Sequence, residues 1–91
     1  MLRLEQLVLE ELQAVFSDEI DDPRLAGVRP LAATFSPDYR HIRVHCLREG
    51  EGASRDDVER ALQGANGFLR RRLLDLLELK RIPELHMILD T

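Results

Sequence analysis

The stretch "GANGFLRRRL", residues 64–73, decides the fold, because it sits between two extended-looking segments and reads either as helix or as a break. Around it Val58, Ala61, Leu62, Ala65, Leu69, Leu73 and Leu76 recur at three- and four-residue steps, one apolar face across residues 55–79. Ser54 followed by Asp57 resembles a capping box, and Asp56 and Asp57 suit the positive end of a helix. Inside that helix Gly64 and Gly67 each cost about 1 kcal/mol relative to alanine, and Asn66 is a weak helix former. The pattern therefore predicts a bend or short break near Asn66, with the apolar face resuming at Leu69. A break would free backbone N–H groups able to receive a phosphate. The same glycines have a second reading, close packing of this helix on another element.

Arg70, Arg71 and Arg72 follow the glycines directly. With Leu69, Leu73 and Leu76 inward, Arg70 and Arg71 point away from the core and Arg72 lies at its margin. Lys80 and Arg81 extend the positive charge. A charge run of this kind is either a solvated face or a contact for a polyanion.

On the N-terminal side, "HIRVHCLR", residues 41–48, alternates: Ile42, Val44 and Cys46 on one face, His41, Arg43 and His45 on the other. "VRPLAATF", residues 28–35, alternates less cleanly, with Leu31, Ala33 and Phe35 against Pro30, Ala32 and Thr34, and the proline suits an edge strand. "SPDY" between them supplies a turn, so the pair reads as a hairpin with one buried face. Before it, Leu4, Leu7, Val8, Leu12, Val15 and Phe16 mark an amphipathic helix over residues 2–20, ended by "DDPRLAG". After the long helix, "ELHMILD" reads as a third strand with Leu85, Met87 and Leu89 inward. A helix joining the second and third strands implies a parallel pair, and the hairpin supplies an antiparallel one. The expected class is α+β: a three-stranded mixed sheet with both helices on one face, a single domain spanning residues 1–91.

Composition narrows the function. Apolar residues make up 44% and charged residues 33%, a globular balance. No apolar run approaches the roughly 20 residues of a membrane span and no leader pattern is visible, so a cytoplasmic protein is expected. Cys46, the only cysteine, is expected in the core. The net charge of −4 argues against a nucleic-acid partner, but its distribution does not. Residues 1–22 hold seven acids against Arg3 alone, so the remainder carries twelve bases against ten acids. All but Lys80 of the thirteen bases are arginines, whose fork suits phosphate oxygens; arginine-favouring codon usage is the other account.

Catalysis finds no footing: no nucleophile with base and orienter, no phosphate-binding glycine loop, and no separated pair of carboxylates. No cofactor and no metal are expected. His41 and His45, on a strand, stand about 13 Å apart and cannot share one ion. Four aromatic residues are too few for a base-stacking platform, so binding would rest on charge, backbone groups and shape.

Taken together, "DDPRLAGV", the turn "SPD", "ALQGANGFLRRRL" and "LKRIPELHMILD" resemble the bacterial ribosome-binding factor A proteins over most of the chain. The resemblance implies a KH-like fold of the second type, in the order helix, strand, strand, helix, kink, helix, strand. In that family a kink at an alanine, any residue, glycine sequence replaces the KH glycine loop, and Ala65, Asn66 and Gly67 match it here. Gly64 recreates a GxxG spacing without making such a loop. The implied function is non-enzymatic: binding of the small (30S) ribosomal subunit and its 16S rRNA, assistance to late rRNA processing including the 5′ region, and ribosome biogenesis under cold shock. Asn66, Gly67, Arg70 and Arg71 would face the RNA, with Arg43, Lys80 and Arg81 added from charge. A monomer without membrane contact is expected, with the acidic first helix turned away from RNA or toward a basic ribosomal protein. The rival reading is a protein-interaction module whose acidic first helix binds a basic partner.

Overall fold

The structure, a computed structural model, describes residues 2–50, 52–78 and 83–90. Helix α1 (Leu2–Asp18) is followed by a short 3-10 turn (Pro23–Leu25), strands β1 (Val28–Phe35) and β2 (His41–Arg48), helix α2 (Arg55–Leu77) and strand β3 (Glu84–Leu89). The sheet order is β1-β2-β3, with β1 and β2 antiparallel and β2 and β3 parallel. This is the expected mixed sheet: α1 lies over β1 and α2 over β3, and both pack on one sheet face.

Local chemistry sets each boundary. The Asp22 carboxylate accepts from Arg24 N at 2.9 Å and caps the 3-10 turn, whose first residue is Pro23. At the hairpin, Asp38 Oδ1 accepts from Ser36 Oγ and from Arg40 N, and Ser36 Oγ accepts from His41 N. The N-cap of α2 is Ser54, whose hydroxyl accepts from Asp57 N at 3.2 Å. Gly27 carries φ +81, and a Cβ there would collide with the carbonyl oxygen of Glu49.

The core is Val8, Leu12 and Val15 of α1 against Ile42, Val44 and Cys46 of β2, with Leu62, Leu69 and Leu73 of α2 closing it. Three expectations change. Leu7 is exposed, because Val8, Leu12 and Val15 already fill the inward stripe. Leu76 is exposed too, and Leu77 packs against the core instead, continuing the four-residue steps from Leu69 and Leu73. In β1, Leu31 points outward and Pro30 inward, because the register shifts between Pro30 and Ala32. Val28 and Pro30 face the core before that bulge and Ala33 after it, which an even alternation cannot produce without an extra residue. Pro30 costs no ladder bond that an interior strand would need, since β1 is an edge, and its carbonyl accepts from Gln13 Nε2 at 3.0 Å.

Candidate nucleic-acid interface

Helix α2 runs without interruption from Arg55 to Leu77. Of the bend or short break expected near Asn66, the break is therefore absent: Ala65, Asn66 and Gly67 do not divide the segment into two helices. No backbone N–H groups are freed there. The close-packing reading of the glycines fails as well: Gly64 and Gly67 are exposed, and a Cβ on either would meet no atom of the described residues within 4 Å.

What the glycines do share is a face. Arg60, Gly64, Gly67 and Arg71 follow one another at steps of four, three and four, which places all of them on one side of a helix. All are exposed. The stripe extends over about 16 Å of helix axis, with a guanidinium at each end and bare backbone between them. Among the described residues Arg60 has only a distant ion pair, to Asp57 at 4.0 Å, and Arg71 forms none. Arg60 was missed in the sequence; its signal was the spacing of four and seven residues to the two glycines.

The other expected residues are scattered. Asn66 is half-buried, and its Nδ2 donates to the Leu85 carbonyl of β3 at 2.9 Å. Near the helix start, Arg55 Nη2 donates to the Leu89 carbonyl at 2.6 Å, so α2 side chains cover the outer edge of β3. Arg70 is half-buried, and its Nε is enclosed with no partner among the described residues. Arg43 is exposed on the opposite face of the sheet, away from α2. Lys80 and Arg81 lie outside the described residues.

Arg72, at the margin as expected, is committed inside the protein. It donates to Glu19 through both terminal nitrogens and to Glu11 at 3.3 Å, and its guanidinium lies 5.5 Å from the Phe68 ring centroid. These hydrogen bonds, that to Glu19 foremost, raise its pKa, and the same bond holds the Glu19 carboxyl below its ordinary value. The arginine run thus divides by direction: Arg72 ties α2 to the acidic helix, and Arg71 faces solvent.

Known proteins share this fold. The family model for ribosome-binding factor A matches residues 1–91. The ribosome-binding factor A of Thermomicrobium roseum is 39% identical over 88 residues, covering 97% of this chain and 68% of that protein. The crystal structure of ribosome-binding factor A from Thermus thermophilus superposes with a TM-score of 0.69 at 26% identity, covering 96% of this chain and 88% of that one. A homology model of the Thermus thermophilus protein, fitted into the cryo-EM map of a 30S complex, superposes with a TM-score of 0.64 at 29% identity, covering 96% and 87%. The α+β architecture with its three-stranded mixed sheet is the KH-like fold of these structures. Matched by the family model along its whole length, and by relatives over more than two thirds of theirs, the chain belongs to the ribosome-binding factor A family.

Proposed function

We propose that this chain is a non-enzymatic, cytoplasmic assembly factor that binds the small ribosomal subunit and assists late maturation of 16S rRNA, including its 5′ region. The observation that carries the site is the outward stripe of α2: two glycines that cost helix stability, face open space, and lie between the exposed Arg60 and Arg71. Among the described residues nothing requires a glycine at either position. Against a sugar-phosphate backbone both do, since a missing Cβ lets the helix approach closely while the flanking guanidiniums take phosphate oxygens. Such a surface reads RNA by shape and charge rather than by base edges, in keeping with the few aromatic residues. Membership of the family and the Thermus relative fitted into a 30S complex support the partner. Asn66 then acts behind the surface, fixing α2 on β3, and the contacts fall to Gly67, Arg71 and the neighbouring Gly64 and Arg60, with Arg70 at the flank.

Co-sedimentation with purified small subunits across a salt series tests this. Arg60→Glu and Arg71→Glu should each weaken binding with the fold unchanged. Each should also flatten the dependence of log affinity on log salt by about 0.7 to 0.9 for every phosphate left unneutralised. An affinity independent of salt, or unaltered in the double variant, would refute the assignment.

A second reading keeps one observation of its own. A groove of about 720 Å³ runs between the C-terminal half of α1 and β1, edged by Asp21 and Asp22 and by the exposed Leu31. It suits a basic partner segment with an apolar anchor. Asp21→Lys with Leu31→Asp would abolish such binding and leave rRNA affinity intact.

A further inference from the structure

The sheet face away from the helices carries a cluster that neither the fold nor the proposed RNA contact uses. His41 and Glu84 are Cα partners in the parallel β2–β3 ladder, and His86 lies two residues along β3, opposite Arg43. His41 Nδ1 is 3.0 Å from His86 Nε2 and 3.9 Å from Glu84 Oε2, and the three ligand atoms lie within 4.8 Å of one another. Spacing along one strand could not reveal this set, because its second histidine comes from a strand 45 residues later in the chain.

We propose that His41, Glu84 and His86 form a binding site for a divalent first-row transition metal ion of the Zn²⁺ type, which staples β3 to β2. The 3.0 Å contact is a hydrogen bond between two ring nitrogens whose donor depends on the tautomer, and a metal ion ligated by both nitrogens would replace it. Nitrogens about 2.0–2.1 Å from one ion at a tetrahedral angle stand roughly 3.4 Å apart, so the pair needs to open by only a few tenths of an ångström. The carboxylate has further to move, and its side chain is 67% exposed. Two imidazoles and one carboxylate leave positions for water, and this nitrogen-rich set favours zinc, cobalt, nickel or copper over magnesium or calcium.

The frame beneath the ligands is fixed. Glu84 N donates to the Arg40 carbonyl at 2.8 Å, tying the start of β3 to β2, and His41 N donates to Ser36 Oγ at 3.0 Å in the hairpin turn. Arg43, the cation flanking His86, opposes the bound charge, but it is exposed and water screens it. His45 belongs elsewhere, with its Nδ1 3.0 Å from Asp90 Oδ2.

Titration of the untagged full chain with Co²⁺, read by its visible absorption, and with Zn²⁺, read by calorimetry, tests the site. One equivalent should bind, and Zn²⁺ should raise the melting temperature until a chelator removes it. His41→Ala and His86→Ala should each abolish binding, Glu84→Gln should weaken it at least about tenfold, and His45→Ala should leave it unchanged. Circular dichroism of each variant separates failed ligation from a failed fold, and the milder His86→Asn gives a second check. Binding that survives in the His41→Ala, His86→Ala double variant, binding abolished by His45→Ala alone, or wild-type protein that binds Zn²⁺ no more tightly than His41→Ala would overturn the proposal. None of these results depends on whether the α2 stripe contacts RNA.

Discussion

Gly27 and Gly67 are the same residue type for opposite reasons. At Gly27 the backbone is left-handed, and any side chain would strike the Glu49 carbonyl, so the fold itself demands glycine. At Gly64 and Gly67 no described residue demands it. Replacing either with alanine should stabilise the isolated protein by about 0.4–1 kcal/mol, through helix propensity and a less disordered unfolded chain. The same substitutions should weaken binding to the small subunit, because a methyl group then stands where the RNA backbone approaches. Urea unfolding read beside co-sedimentation gives both numbers; a variant both more stable and fully competent would remove the argument for the stripe. The sequence revealed that these glycines are costly, but not which way they face, since packing on a neighbour and exposure leave the same helical pattern. Cys46 was fully legible, a lone small residue on the inward side of the best-alternating strand. It is wholly buried, and burial pushes its thiol up to about 12. It should resist alkylation in native buffer and react at once in denaturant, as mass spectrometry of the labelled chain would record.

Why α2 does not break is a matter of magnitudes. Two interior glycines cost about 2 kcal/mol together, whereas burying Leu62, Leu69 and Leu73 contributes about 1.5–3 kcal/mol each. The leucines on either side belong to one core, and a break would pull one set away from it. Propensity alone pointed to a break because it is local, while the burial that overrides it is tertiary. Asn66, a poor helix former, is retained by a contact that no periodicity reveals: its amide answers the Leu85 carbonyl on the outer edge of β3. Asn66→Ala gains helix propensity but leaves that carbonyl without its donor, and the second effect should prevail, lowering stability by about 1 kcal/mol. Urea midpoints at unchanged m-value would measure it; a stability equal to wild type would mean that water replaces the amide without cost. The bulge in β1 was illegible for a related reason. "VRPLAATF" offers apolar residues on both parities, so only pairing with β2 decides that Leu31 is the extra residue.

Electrostatics organises the molecule through one junction. The acidic surplus of residues 1–22 was visible in the sequence, but not that Glu11 and Glu19 of that region would capture Arg72 from the arginine run. The pairing partly neutralises Glu11 and Glu19 and leaves Arg60 and Arg71 as the exposed guanidiniums of the outer stripe of α2. It also fixes a pH dependence. Glu19 is held below its ordinary carboxyl value by the Arg72 hydrogen bond, Asp22 by that of Arg24, and Asp38 chiefly by that of Ser36. Each of these carboxyls binds protons more weakly folded than unfolded, so each contributes stability fully present above the unfolded pKa and lost as pH falls through the folded one. The unfolded references are 4.5 for Glu19 and 3.8 for Asp22 and Asp38. Arg72 is shifted upward, so its share is constant throughout this range. Unfolding free energy should therefore stay level from about pH 7 to about pH 5 and decline below about pH 4.5. In Arg72→Gln the neutral plateau should be lower and the acid decline shallower, because the Glu19 share is gone while those of Asp22 and Asp38 persist. Urea titrations of both proteins at several pH values would test this. Parallel curves, displaced by a constant amount down to the lowest pH, would show that Arg72 contributes through its packing on Phe68 rather than through Glu19.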